Sequence, residues 1–277
     1  MSDFPFLSGS VIASTSTALA SSVYGVKCLS GGANLKGIWQ VLQTTTGHAT
    51  TGLLWTIHKP TAAARFTVDF GIGPAGAERV VVPDLYFDSP RADQGGIHGY
   101  VPMSIPANSR LVVRTQASAA ATGVFVSAWP MAGGAGQASN YRYQSVTAYG
   151  VSASTATTTA TVIDAHGTAN TKGQYRVLTA ATTNPINGLI GIINGIANTA
   201  MTTCAWRMDL AIGPAGSEQI ILGDFLISAN TTDDDVAPDY FYLPVTIPKG
   251  ARLAARSQCS ITDATDQKFA LALYGFA

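Results

Sequence analysis

The chain has 277 residues and is sparsely charged: Lys, Arg, Asp and Glu make up 12 % of it, with 16 basic against 16 acidic residues, about half the charged share of an average soluble domain. A balanced, weakly charged chain has no net field to hold a polyanion, which argues against nucleic acid and against an anionic membrane surface as partners. No apolar run approaches the ~20 residues that span a bilayer, and Met1-Ser-Asp-Phe-Pro-Phe-Leu7 lacks a basic region ahead of an apolar one, so a soluble chain without a targeting peptide is expected.

Residues 1–22 are rich in Ser, Thr and Ala without periodicity and read as an N-terminal arm that orders only against a neighbouring subunit. From there on, strand-like runs alternate with turn residues. They fall at roughly 23–29, 37–45, 53–59, 65–73, 78–87, 99–106, 109–118 and 123–131, giving a first β-sandwich over 23–131. A glycine-rich, nearly uncharged stretch at 132–140 reads as a linker. A second sandwich over 141–277 has runs at roughly 159–165, 173–182, 188–196, 203–213, 218–228, 239–248, 251–260 and 269–277. Along 206–212, Trp206, Met208, Leu210 and Ile212 face one way while Arg207, Asp209 and Ala211 face the other, the period of a strand.

The two halves are copies. Lys36-Gly37-Ile-Trp39-Gln-Val41-Leu42 returns 136 positions later as Lys172-Gly173-Gln-Tyr175-Arg-Val177-Leu178. Asp69-Phe-Gly-Ile72-Gly73-Pro74-Ala75-Gly76-Ala-Glu78 returns after 140 as Asp209 to Glu218, and Ile105-Pro106 with Arg110-Leu111, Arg114 and Gln116 returns after 142 as Ile247-Pro248 with Arg252-Leu253, Arg256 and Gln258. Collinear matches with slowly drifting spacing mark an internal duplication. The fold expected is therefore all-β: two tandem, jelly-roll-like, antiparallel sandwiches. In the Gly-Pro-Ala-Gly stretches, proline at the second position and glycine at the fourth suggest type I turns, while Asn108 and Gly250 supply the flexible residue of the Ile-Pro corner.

Chemistry is harder to find. Four histidines, His48, His58, His98 and His166, show no metal-ligand spacing, no nucleophile elbow or phosphate loop is present, and no cofactor is expected. Cys28, Cys204 and Cys259 read as small core residues. Arg114 and Arg256 belong to a duplicated Arg-x-x-x-Arg-x-Gln stripe that either reads a ligand or pairs with the repeated carboxylates Asp69, Asp84, Asp209 and Asp224. Asp233, Asp234 and Asp235 form an acidic loop, solvated or cation-binding, whose counterpart near Asp93 differs in length and chemistry. Tyr240-Phe241-Tyr242 must put rings on both faces of its strand, so Tyr240 and Tyr242 are candidates for a ligand or a subunit interface. Trp39 with Tyr175 and Trp129 with Tyr274 are equivalent positions, suggesting packing roles.

The Ile-Gly-Pro-Ala-Gly-Ser-Glu turn, the Ile-Pro-x-Gly-x-Arg-Leu-Ala-x-Arg corner and the closing Ala-Leu-Ala-Leu-Tyr-Gly-Phe strand together resemble small β-rich surface proteins of tailed-bacteriophage virions: head spikes or fibres, decoration proteins and tail accessories. The resemblance implies a non-enzymatic virion structural protein. Its partners would be other virion proteins and further copies in a homo-oligomer, with a host surface glycan as a further partner if the protein aids attachment. The alternative is a carbohydrate-binding, lectin-like module that uses the loops at the sandwich ends. A polysaccharide hydrolase has no visible machinery.

Overall fold

The computed structural model describes residues 24–47, 49–89, 92, 96–131, 143–195, 204–229, 239–262 and 268–277. The expected arm at 1–22, the linker at 132–140 and Asp233, Asp234 and Asp235 lie outside the described residues.

All regular structure among the described residues is strand. The first half contributes β1 (Val26–Leu29), β2 (Gln40–Gln43), β3 (Gly52–His58), β4 (Ala64–Ile72), β5 (Arg79–Ser89), β6 (Gly96–Val101), β7 (Leu111–Ala117) and β8 (Gly123–Met131). The second begins with β9 (Val146–Tyr149) and β10 (Val151–Ser154), which the sequence reading did not anticipate. It then continues with β11 (Thr157–Asp164), β12 (Arg176–Thr179), β13 (Leu189–Asn194), β14 (Cys204–Ile212), β15 (Gln219–Ala229), β16 (Asp239–Leu243), β17 (Leu253–Cys259) and β18 (Lys268–Phe276).

The first half pairs antiparallel in the orders β1-β8-β3-β6 and β2-β7-β4-β5. The second repeats them as β11-β18-β13-β16 and β12-β17-β14-β15, with β10 added beside β11 and β9 beside the end of β18. Numbered within each half, both sandwiches read 1-8-3-6 and 2-7-4-5, which is the jelly roll. The duplication is thus visible as one topology drawn twice.

Alternation builds each interior. On β4, Phe66, Val68 and Phe70 point in; on β14, Trp206, Met208 and Leu210 do, with Trp206 meeting the Phe269 ring edge-on at 5.9 Å. Burying each such side chain contributes roughly 1.5–3 kcal/mol. The repeated turn differs from expectation in type. Ala77 N–H donates to Pro74 O, as Ser217 N–H does to Pro214 O, and Gly76 and Gly216 have φ of 83° and 81°. Proline is therefore the first turn residue and glycine the third, which makes the turn type II and requires a residue that tolerates positive φ. Asn108 (φ 60°) and Gly250 (φ 83°) hold the corner position assigned to them.

The two sandwiches dock face to face. The outer side of β11-β18-β13-β16, carrying Ile190, Ile192, Ala270, Ala272, Tyr274 and Phe276, joins the core cluster of the first half, whereas Leu189, Ile193, Phe269, Leu271 and Leu273 fill the second half's own interior. The sheet it meets is β2-β7-β4-β5, whose outward residues Thr67, Tyr86 and Gln116 are at most 1 % exposed. Four sheets are stacked, and the two middle ones are covered on both sides.

Candidate functional site

The repeated charged residues come together around a β-bulge. Strands β4 and β5 lose register between Val68 and Phe70, where Asp84 takes φ 50°; β14 and β15 do so between Met208 and Leu210, where Asp224 takes φ 52°. A bulge takes a backbone N–H out of the ladder. Asp69 Oδ1 accepts the Asp84 N–H at 2.9 Å, and Asp209 Oδ1 accepts the Asp224 N–H at 3.1 Å. Lys36 then bridges Asp69 (2.8 Å) and Asp84, and Lys172 bridges Asp209 (2.7 Å) and Asp224 (2.9 Å). Arg114 Nε donates to Asp69 Oδ2 at 2.8 Å while its guanidinium lies 4.3 Å from the Trp39 ring centre; Arg256 donates to Asp209 Oδ2 at 2.9 Å and lies 4.6 Å from that of Tyr175.

Burial pushes the Asp69 carboxyl up, but the Lys36 charge and the hydrogen bonds from Lys36, the Asp84 N–H and Arg114 outweigh it and hold it below the usual range. Asp209 is likewise held low, burial being outweighed by Lys172, the Asp224 N–H and Arg256. Asp84 goes the other way, raised by burial and by the neighbouring Asp69 charge. Each cluster is a clamp on a bulge, with its donors and acceptors satisfied by one another. The same holds at the turn, where Arg110 donates to Glu78 (2.8 Å) and Gly73 O (3.2 Å), and Arg252 to Glu218 (3.1 Å) and Gly213 O (3.2 Å).

Gln116, the last member of the stripe, reaches the other sandwich. Its Nε2 donates to Ser154 O (3.0 Å), Thr157 O (3.3 Å) and Thr158 Oγ1 (3.0 Å) at the β10–β11 hairpin, and Asn34 holds the same hairpin by donating to Ala156 O (3.2 Å) and accepting from Thr158 Oγ1 (2.9 Å). Tyr240 belongs to this junction too. Its hydroxyl donates to Tyr100 O and its ring lies over Gly99, where a Cβ would come within 2.8 Å of it. Phe241 turns into the second core, and Tyr242 is 43 % exposed. Tyr240 is thus an interface residue between the two halves of one chain, and Tyr242 borders solvent.

A second surface has no counterpart among the sequence candidates. The outer face of β1-β8-β3-β6 is uncovered among the described residues and rich in rings. Cross-strand pairing puts Trp129, Leu54 and Tyr100 in one row and Ser127, Thr56 and His98 in the next. Tyr24 closes one end, meeting Phe125 edge-on at 5.7 Å under the Lys59 ammonium, 3.5 Å from its ring centre. Burial, with the Lys59 charge, lowers the His58 pKa despite the opposing contact with the Tyr24 backbone. With strands about 4.8 Å apart, the Trp129 and Tyr100 positions are separated by about 10 Å. Trp129 and Tyr274 do occupy equivalent places, but only Tyr274 is packed: it is fully buried, whereas Trp129 is half-buried on the open face. The signal was the composition of the neighbours, since Leu54, Thr56 and His58 alternate where Ile190-Gly-Ile-Ile193 is uninterrupted.

These features define a two-domain jelly-roll β-sandwich protein. No family model and no curated protein matches the chain. Among solved structures it has a likeness to the tandem CBM22-1–CBM22-2 domains of Paenibacillus barcinonensis Xyn10C, at 8 % identity, covering 97 % of this chain and 98 % of that one, with a TM-score of 0.26. Another is to PNGase F, a glycosylasparaginase from Flavobacterium meningosepticum, at 11 % identity, covering 91 % and 92 %, with a TM-score of 0.35. At such TM-scores neither likeness carries an argument; the fold rests on the strand order itself.

Proposed function

We propose that the chain is a non-enzymatic structural protein of a tailed-phage or phage-like particle, placed on its surface and taking part in host attachment. The observation that carries this reading is the use to which the polar side chains are put. Lys36, Asp69, Arg114 and their copies clamp bulges, while Gln116, Asn34, Tyr240 and Tyr274 join one sandwich to the other. A chain that spends its polar side chains on bracing and docking sheets is built to be a rigid block. Jelly rolls recur in capsid and lectin domains alike, so the architecture leaves this choice to the surfaces. The resemblance of the turn, corner and closing-strand motifs to virion surface proteins adds to it. Mass spectrometry of gradient-purified particles from the source tests the proposal: the protein should co-purify at fixed stoichiometry, and its absence from particles sinks the reading.

The row Trp129, Leu54 and Tyr100 favours a second reading, a carbohydrate-binding module. Two rings on one open sheet face can stack on the apolar faces of a sugar chain. A glycan array with the intact chain and with Trp129→Ala distinguishes the two, because a lectin binds and loses binding in the variant, whereas an assembly protein without glycan affinity gives no signal with either.

A further inference from the structure

The contact between the sandwiches uses positions that exist twice. Where the first sandwich offers Asn34, Gln116 and Tyr86 to the second, the second carries Asn170, Gln258 and Leu226 on its own outer face. Asn170 repeats the backbone of Asn34 closely: φ is 58° against 56°, and its N–H donates to Cys259 O as that of Asn34 donates to Ala117 O. Gln258 lies opposite Arg207 as Gln116 lies opposite Thr67. The coverage differs. Tyr86 is 1 % exposed and Leu226 64 %, and Val177 (48 %) and Ile220 (46 %) extend the uncovered apolar area.

The apolar part of the other side of the contact also exists twice. Ile190 and Tyr274, buried against the first sandwich, correspond by strand pairing to Leu54 and Trp129 on the open face of β1-β8-β3-β6. At Tyr86 and Tyr274 the replacements are matched across the contact, while Arg207 stands where the first sandwich has Thr67. Inside the chain, the Tyr274 hydroxyl accepts the Tyr86 N–H and donates to Asp84 O, both at 2.8 Å. On the open faces the corresponding residues are Trp129 and Leu226, an apolar pair whose indole N–H keeps the donor half of that role, and Asp224 holds its backbone at φ 52° as Asp84 does at 50°.

We infer that the chain binds a second copy of itself head to tail, the outer face of β12-β17-β14-β15 in one copy seating on the outer face of β1-β8-β3-β6 in the next and repeating the internal contact. This rests on the assembly reading above and names the partner. Because the two faces are different surfaces, the contact is heterologous: every assembly keeps one free face of each kind, one at either end, so addition continues into a ring or a filament.

Two variants of the full chain test it. Leu226→Glu/Gln258→Glu spoils the second sandwich's face, and Leu54→Glu/Trp129→Glu the first's; circular dichroism and thermal unfolding establish that each folds. In sedimentation velocity, the native chain should grow beyond dimers with concentration, and each variant alone should stay at 28.7 kDa. An equimolar mixture should stop at a species of roughly twice that mass, since each heterodimer exposes only spoiled faces. A native chain that stays monomeric overturns the inference, as does a variant that self-associates or a mixture that does not pair. A monomeric chain found in purified particles would sink this contact and leave the particle reading standing; growing assemblies of a chain absent from particles would do the reverse.

Discussion

The hydroxyl of Tyr274 lies 2.8 Å from the backbone nitrogen of Tyr86, 188 residues earlier in the chain, and accepts its N–H, tying the closing strand of the second sandwich to β5 of the first. The same hydroxyl donates to Asp84 O, next to the bulge clamp. Tyr274→Phe removes both partners in a fully buried place and leaves a backbone N–H unsatisfied, which costs about 1–3 kcal/mol. Urea unfolding followed by fluorescence should show the unfolding free energy fall by that amount; an unchanged value would mean that the interface is wet.

The bulge clamps predict opposite results for two adjacent carboxylates. Asp69 is held below the ordinary carboxylate range, so its ionised form stabilises the fold above the unfolded value of about 3.9, and that contribution fades as pH falls through the lower folded value. Asp84 is raised, so its ionisation costs stability above its folded value. Asp69→Asn should therefore be destabilising at pH 7, by about 1–3 kcal/mol, with the gap to the native protein narrowing below pH ~4. Asp84→Asn, which keeps a residue tolerant of positive φ, should be neutral or slightly stabilising at pH 7. Equal losses from both would contradict the clamp.

At the Ile-Pro corner the two copies solve one backbone problem differently. Gly250→Ala should cost about 1–2 kcal/mol, because nothing lies within 4 Å of the added Cβ and only the left-handed backbone resists it. Asn108→Gly should cost little. Thermal unfolding of both variants reads the difference, and a harmless Gly250→Ala would show that the corner can relax.

Cys28, Cys204 and Cys259 are buried, and burial pushes the Cys28 thiol up to about 12. A thiol reagent at neutral pH should leave all of them unmodified in the folded chain and label them on unfolding. Rapid labelling of the native protein would contradict the core described above.

Much of the fold was legible because jelly-roll strands announce themselves by turns and alternation. The predicted runs at 65–73, 123–131 and 203–213 correspond to β4, β8 and β14 within a residue, and the repeat offsets carried the topology of one half to the other. β10 escaped because Val151-Ser-Ala-Ser154 has little apolar patterning and forms a strand by pairing with β11, and β9 because its four residues pair only with the end of β18. The docking of the sandwiches was written in a signal left unused: Phe269 to Phe276 is apolar throughout, which a strand with one wet face would not be. The arginine stripe divided between its two readings. Arg114 and Arg256 pair with repeated carboxylates, whereas Gln116 reads the neighbouring sandwich. Coverage was legible on the closing strand but not at Tyr86 and Leu226, two large side chains at one repeated position that differ only in what lies over them.

The pair of docked jelly rolls is proposed above as a building block of a particle. Cryo-electron microscopy of purified particles tests it most directly. The map should contain density for four stacked sheets per chain, the closing strand of the second sandwich lying against β5 of the first. A particle map with no such density, or one in which the two sandwiches stand apart, would contradict the account.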